Sequence, residues 1–399
     1  MISFDEALRL TLNNIQVLDS EDVVLVSAVG RVIASDLIGL VDSPSVDVSL
    51  KDGYAVHSAD IAAAREDAPV SLRLIGTVAA GGAWSRQMRF GETVRILSGA
   101  PVPEGADAVV AEEFTQLDGK ILLVANDAYA GRNILLKGSD VRRGELLLEK
   151  GSRLSAPTIG LLAAAGYQSI PVLKLPRVAI LATGDEVIAP GEVLQTGKLY
   201  ASNLVTLAAW CAHYGFSVET FVARDDETSI CEKLTVCLRD YDAVLTSGGA
   251  WSGERDLVVR LLDKMGWEKL YHRVRIGPGK AVAFGLYAGK PVFCLPGGPP
   301  SNYMAFLQLA LPGLLTMSGI RAAGLPFRMM RMAKPVSGQS DWTQFVYGRL
   351  EETSDIPLFY PLNPKGRLQM MAEADVIVKI PEGQALISNR QIVQGQILK

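Results

Sequence analysis

The sequence is short of several residue types that particular chemistries require. Among 399 residues there are only four cysteines, Cys211, Cys231, Cys237 and Cys294. They form no CxxC pair and no zinc-type spacing, which argues against a disulfide framework or a zinc site. Reduced thiols in a cytoplasmic protein are the expectation. There are only three histidines, His57, His213 and His272, and no two are close in the chain. A multi-histidine metal site is therefore not expected. Any metal must rely on carboxylates, which favours a hard ion such as Mg²⁺.

Positive charge is not in excess either. Lys and Arg number 39 against 43 Asp and Glu, a net charge of −4. Gripping nucleic acid through its phosphates needs a concentrated basic surface, so no nucleic-acid partner is expected. No apolar run reaches the ~18 residues of a membrane span. The best stretch, Met304 to Met317, is broken by Gln308, Pro312 and Gly313. The opening MISFDEALRL has neither the basic start nor the apolar run of a signal peptide. A G-x-x-x-x-G-K-[ST] phosphate loop and a G-x-S-x-G nucleophile elbow are both missing.

What is present is ordinary globular composition, 49 % hydrophobic and 21 % charged. At ~150 residues per domain the length predicts two to four domains. Ser3-Phe4-Asp5-Glu6 has the form of a capping box and predicts a helix to about Asn14. A second helix is predicted over 20–32. From about Ser45 to Asp140 short strand-like runs with Gly-rich turns predict a small β insertion, including Val70 to Ile75 and Ile121 to Val124. Ala156 to Ala165 reads as a helix.

After Pro176 the pattern changes. The run Val178 to Ala182 is continuously apolar, as in a strand buried on both faces. Helix-like and strand-like segments then alternate: 203–213, 218–222, 227–238 and 243–246. That alternation predicts a parallel, doubly wound sheet, with ligands at the carboxyl ends of its strands. Past Pro326 the pattern is strand-like again, with Phe345 to Gly348, Val376 to Ile380 and Gly395 to Leu398.

Several turns carry chemistry-bearing residues. Thr183-Gly184-Asp185-Glu186 puts two carboxylates past a buried strand, suited to Mg²⁺, to substrate, or to a plain helix N-terminus. Ser247-Gly248-Gly249 can expose backbone N–H groups, or can be a plain tight turn; with the carboxylates of Gly253-Glu254-Arg255-Asp256 behind it, it suits an Mg²⁺-linked phosphate. Asp226 also follows a predicted strand. Arg275-Ile276-Gly277-Pro278-Gly279-Lys280 presents two cations on a stiff turn, suited to an oxyanion or phosphate or simply a solvated loop. Leu295-Pro296-Gly297-Gly298-Pro299-Pro300-Ser301-Asn302 suits an anion cradle at the next helix N-terminus, with Ser301 as its cap, or a plain strand-to-helix turn.

In this order, these segments resemble the MoeA/gephyrin family of molybdopterin molybdenumtransferases. The likeness includes Asp52-Gly53-Tyr54-Ala55-Val56, Ser98-Gly99-Ala100-Pro101-Val102-Pro103-Glu104-Gly105-Ala106-Asp107 and Gly138-Ser139-Asp140. It continues through Thr183 to Glu186, Ser247 to Gly249, Pro278-Gly279-Lys280 and Leu295-Pro296-Gly297. The series spans nearly the whole chain. The resemblance implies an α/β plus β fold: an elongated multidomain chain with a central doubly wound, MogA-like α/β domain over 176–325. An N-terminal helical/β domain would comprise 1–45 and 141–175, with a β domain inserted over 46–140 and a small β domain over 326–399.

The implied reaction is Mg²⁺-dependent insertion of molybdate into adenylylated molybdopterin, releasing AMP and molybdenum cofactor. Carried over by position, the acidic residues are Asp52, Asp140, Glu186, Asp226 and Asp256, joined by Lys280. Glu186, Asp226 and Asp256 fall to the Mg²⁺ side. Ser98, Thr183, Gly184, Asp185, Ser247, Gly248, Gly249, Arg275, Pro296 and Gly297 are the implied binding positions. A homodimer is implied, with molybdopterin adenylyltransferase as upstream donor.

The sequence also departs from the family pattern. Asn-Ser-Ala-Met before Asp-Gly-Tyr is Val48-Ser49-Leu50-Lys51. The first lysine of Lys-Pro-Gly-Lys is Gly277, and Arg275 is the candidate replacement cation. Trp251 stands in the Gly-rich turn, Ala201 replaces an aspartate, and Gly298 an asparagine. These changes leave open a tungstate-preferring enzyme or a non-catalytic carrier of the cofactor.

Overall fold

A computed structural model of the chain describes residues 1–126, 129–249, 257–320, 324–362 and 366–399. The chain divides into two units, Met1–Glu21 with Leu173–Lys399, and Asp22–Val172.

The larger unit is built around a six-stranded sheet. Its order is Ser217–Ala223, Arg177–Thr183, Ala243–Ser247, Lys290–Leu295, Ala283–Tyr287 and Glu268–His272. The first four strands are parallel and the last two antiparallel. The continuous apolar run of Arg177–Thr183 is explained by burial on both faces. Val178, Ile180 and Ala182 pack with Leu204, Leu207 and Cys211 of the Ser202–His213 helix. Ala179 and Leu181 face Ile230 and Leu234 of the Glu227–Asp240 helix and Val258 and Leu262 of Leu257–Lys264. Each fully buried Ile or Leu here stabilises the fold by roughly 1.5–3 kcal/mol. The chain leaves Arg177–Thr183 for one neighbouring strand and later returns to the other side, so the order reverses between Arg177–Thr183 and Ala243–Ser247. A crevice opens at the carboxyl ends of strands at such a switch point.

A second, seven-stranded sheet has the order Ile2–Ser3, Val274–Gly277, Thr343–Glu351, Leu358–Pro361, Phe327–Met332, Ile392–Ile397 and Val376–Ile380. Thr343–Glu351 also pairs with Val376–Ile380, which closes the last five strands on one another around Met330, Phe359 and Val378. Two features here differ from the boundaries drawn on sequence. Val274–Gly277 lies within 176–325 but hydrogen-bonds into the C-terminal sheet, with Ile276 opposite Thr343 and Gly277 opposite Gln344. Ile2 and Ser3 pair with Val274 and Arg275, and the capped helix Phe4–Asn14 buries Phe4 and Ala7 in this unit's core. Met1–Glu21 thus groups with Leu173–Lys399, not with the rest of 1–45.

In the smaller unit, six strands order as Ala108–Ala111, Gly53–Val56, Glu92–Ile96, Val70–Val78, Ile121–Val124 and Thr115–Asp118. A second core gathers Leu25, Ile33, Leu162 and Ile170, and pairs Leu37–Ile38 with Leu146–Leu148. The helix expected over 20–32 is instead the strand Ser20–Val24 and a single turn, Leu25–Ala28. Asp22-Val23-Val24 favours an extended chain because β-branched residues are stiff, and the strand has a partner in Ser169–Leu173.

Among the described residues no helix is long and apolar enough to cross a membrane. Met304 to Met317 is part of a buried helical run whose middle, Phe306–Ala310, is a π-helical segment.

Candidate functional site

A cleft of about 1350 Å³ opens at the switch point of the α/β sheet. One wall comes from the turns that end its strands. Thr183, Gly184 and Glu186 follow the first strand, Ser247, Gly248 and Gly249 the third, and Pro296 and Gly297 the fourth parallel strand. All eight were expected site residues. The Gly-rich turn is tightly made. Gly248 has φ +101° and Gly249 φ +64°, a region that glycine enters without strain. A Cβ on Gly248 would lie 2.8 Å from the Thr183 carbonyl oxygen, and one on Gly249 would lie 2.7 Å from Val258 Cγ2.

The Ser247 hydroxyl sits in a small amide network. Asn203 Nδ2 donates to it at 3.0 Å and to the Gly297 carbonyl at 2.8 Å. Asn302 Nδ2 donates to it at 3.1 Å and to the Pro296 carbonyl at 2.9 Å. These bonds tie the ends of the third and fourth parallel strands together. Beside them the Ser202–His213 helix begins without a side-chain cap, because Ala201 has no oxygen to offer. Ala201, Ser202 and Asn203 line the cleft there. An uncapped helix start leaves N–H donors and a positive dipole end for an anion.

The opposite wall comes from the C-terminal region: Gln339 and Trp342 just before the strand Thr343–Glu351, Gln344 within it, and Arg367 and Gln369 of the short helix Arg367–Glu373. The segment joining the two sheets explains how Lys280 arrives between them. Val274–Gly277 is held in the C-terminal sheet and Ala283–Tyr287 in the α/β sheet, so Lys280 is strung across the gap. Its ammonium lies 5.3 Å from the centre of the Trp342 ring, and the residue lines the cleft. Gln344 Oε1 accepts the Gln339 N–H at 2.6 Å, fixing the amide beside Trp342.

The remaining expected residues are placed differently. Asp226 is absent from the cleft lining; its carboxylate accepts the Ser229 N–H at 2.8 Å and caps the Glu227–Asp240 helix. Its neighbour Asp225 lines the cleft instead. Asp185 accepts the Asp225 N–H at 3.2 Å, linking two loops from outside the cleft lining. Arg275 forms a 2.8 Å ion pair with Glu382 and does not line the cleft, so it does not stand in for the missing lysine there. Ser301 is not a cap; the helix starts at Pro299 after Gly298, with no side-chain cap bond. Asp52, Ser98 and Asp140 belong to the smaller unit. The Ser98 N–H donates to Asp52 Oδ1 at 2.6 Å, and the Asp140 N–H donates to the Ser43 carbonyl at 3.0 Å. Asp256 and Trp251 lie outside the described residues.

Among the described residues the cleft's charged lining is therefore Glu186, Asp225, Lys280 and Arg367. Asp225, Arg367, Trp342 and Asn302 escaped sequence reasoning as site residues. Two had a signal: Asp225, a carboxylate beside Asp226 in the turn after a strand, and Asn302, an asparagine just past a Pro/Gly-rich strand end.

Comparison with known proteins agrees with this architecture. The pattern described as the MoeA N-terminal region (domain I and II) matches residues 2–166, and the probable molybdopterin binding domain matches 179–316. Molybdopterin molybdenumtransferase 2 of Mycobacterium tuberculosis (strain CDC 1551 / Oshkosh) is 30 % identical over 364 residues, covering 90 % of this chain and 90 % of the relative. The chain belongs to the molybdopterin molybdenumtransferase family. The enzyme of that name from Staphylococcus aureus (strain COL) is 27 % identical over 385 residues, 96 % of this chain and 92 % of its own. The crystal structure of a molybdopterin biosynthesis MoeA protein from Pyrococcus horikosii superposes with a TM-score of 0.85 at 31 % identity, covering 100 % of this chain and 99 % of that one. The chain is accordingly a transferase of molybdenum cofactor biosynthesis. The match over 179–316 contains the whole α/β wall of the cleft and Lys280, and stops before Gln339 and Trp342.

Proposed function

We propose that this transferase inserts molybdate into adenylylated molybdopterin and releases AMP and molybdenum cofactor. The observation that carries the reading is the cleft itself. A Gly-rich turn, an uncapped helix start and two cations, Lys280 and Arg367, line one cavity. Both substrates are anions, and the bond to be broken is a phosphoanhydride. The work required is positioning and charge compensation, which these groups supply without a covalent nucleophile. The backbone of Gly248 and Gly249 and the start of the Ser202–His213 helix hold phosphate oxygens. Lys280 and Arg367 balance charge from the joining segment and the C-terminal wall.

Mg²⁺ would be held by Glu186 and Asp225; among the described residues no group of three His, Cys, Asp or Glu is gathered for a metal. Glu186 and Asp225 both line the cleft, and Mg²⁺ at phosphate sites takes one or two carboxylates and completes its shell with phosphate and water. Bound there, it would neutralise charge on phosphate oxygens. Asp256 remains a proposed third ligand, and Asp226 yields its place to Asp225. Asp52, Ser98 and Asp140 remain proposed site residues. A cytoplasmic homodimer, fed by molybdopterin adenylyltransferase, completes the reading, and its mass in solution tests the dimer.

The experiment combines the purified chain with adenylylated molybdopterin, Mg²⁺ and molybdate, and follows AMP beside metal-loaded cofactor. Wild type should release AMP and load metal. Lys280→Ala should lower the rate at limiting substrate roughly 10- to 100-fold, the worth of a charge-assisted contact. Tight binding without AMP release would overturn the reading in favour of a carrier, the alternative to which Gly277 and Ala201 point. Tungstate in the same assay decides between the two oxyanions.

A further inference from the structure

The hydrogen bonds around Ser247 fix the polarity of its hydroxyl. The Asn203 and Asn302 amides each have one partner that can only accept, the Gly297 and Pro296 carbonyls at 2.8 and 2.9 Å. Each Nδ2 must therefore face its carbonyl, and neither amide can turn its oxygen inward. The second hydrogen of each Nδ2 then points to Ser247 Oγ, at 3.0 and 3.1 Å. A serine oxygen has two lone pairs. Both are filled by these donors, so the only valence left to Ser247 is its own O–H. No acceptor for that hydrogen exists among the described residues. Ser247 is 6 % exposed and Asn302 1 % exposed, so neither group is free to reorient into bulk water. Ser247 nevertheless lines the cleft, beside the Gly248 and Gly249 backbone.

We infer that Asn203 and Asn302 are positioning residues that fix Ser247, a binding position the family resemblance implies, as a hydrogen-bond donor of one direction toward an anionic ligand oxygen. The inference rests on reading the Gly-rich turn as the phosphate-holding wall. It adds a selectivity: the ligand atom at Ser247 is an acceptor such as a phosphate oxygen, and a protonated amine or other pure donor is refused there. The unused donor in a nearly dry site is worth more to an anion than an exposed hydroxyl, because an unmade bond there leaves a buried polar group unsatisfied.

A double-mutant cycle on the full chain tests it. Asn203 is half-buried, and its truncation threatens the fold less than that of Asn302, so Asn203→Ala, Ser247→Ala and the double variant are compared. Binding of adenylylated molybdopterin and of inorganic pyrophosphate is measured by calorimetry. Ser247→Ala should weaken binding roughly tenfold, as loss of a bond to a charged acceptor does. Asn203→Ala should weaken it severalfold in the wild type and not at all in the Ser247→Ala background. Equal losses in both backgrounds would show that Asn203 acts through Gly297 and would overturn its positioning role. Ser247→Ala binding both probes like wild type would overturn the donor itself. If pyrophosphate obeys the cycle while adenylylated molybdopterin is ignored by wild type, the insertase reading falls and the present inference stands.

Discussion

The α/β wall of the cleft is made largely of main chain, whereas the C-terminal wall is made of long side chains. On the first, Gly184, Gly248, Gly249 and Gly297 let backbone form the surface, and Ser247 is locked by two amides. On the second, Gln339, Trp342, Gln344, Arg367 and Gln369 reach in from strand ends and a short helix. A main-chain wall offers donors whose positions are set by the sheet, and at Gly248 and Gly249 it leaves no room for added atoms. A side-chain wall can be re-lettered without disturbing the fold beneath it. The two should therefore differ in what a substitution costs: the first in folding and binding together, the second in binding alone.

The largest expected effect is on the main-chain wall. Gly248→Ala forces a side chain into φ +101° and places its Cβ 2.8 Å from the Thr183 carbonyl oxygen. Backbone strain and overpacking each cost about 1–3 kcal/mol, so a loss of about 2–4 kcal/mol is expected in urea unfolding. Arg367→Ala, on the other wall, is exposed and without an ion pair among the described residues, so stability should hold within about 0.5 kcal/mol. Similar losses in the two variants would break the distinction between the walls.

The same division explains what could be seen in the sequence. Turns that need glycine after an apolar run leave a local signature, so Thr183-Gly184-Asp185-Glu186 and Ser247-Gly248-Gly249 were legible, as were nearly all the strands they end. Asp226 was legible as a carboxylate after a strand but not as a cap, although Ser229 three residues on is the usual distance for that bond. Arg275 reads as an anion's partner on sequence alone because Glu382, which holds it, is 107 residues away and leaves no local trace. The helix Phe4–Asn14 was legible from its capping box, where the Glu6 N–H donates to Ser3 at 3.2 Å. Its place in the larger unit was not, because that depends on Ile2 and Ser3 finding Val274 and Arg275. Trp342 and Arg367 belong to no motif, and only the closure of the C-terminal sheet brings them to the cleft.

A middle-sized effect sharpens the comparison from the joining segment. Gly277 occupies the position of the family's first lysine, and its backbone is not in the left-handed region. A Cβ there would meet Gln344 Cγ at 3.5 Å and Nε2 at 3.7 Å, ordinary contacts with a side chain. Gly277→Lys should therefore fold normally and add a cation to the cleft. Binding of molybdate, measured by calorimetry, should tighten roughly tenfold and become more salt-dependent, as a new charge-assisted contact requires. A variant that folds but binds no better would mean that Arg367 already supplies the charge this position lost.

The smallest effect tests the side-chain wall at its centre. Lys280 has no ion pair among the described residues, and the Trp342 face at 5.3 Å is the group that restrains its ammonium. A lysine loses ~2 kcal/mol of rotamer freedom when fixed, so a ring that already narrows its range leaves less to lose on binding. A cation over an aromatic face at a partly open site is worth about 0.5–1 kcal/mol. Trp342→Leu should then weaken anion binding about two- to fivefold, Trp342→Phe less, and neither should alter binding once Lys280 is alanine. Tighter binding in Trp342→Leu would reverse the argument: the ring would be competing with the ligand for Lys280, and the C-terminal wall would be restraining the cleft's affinity instead of building it.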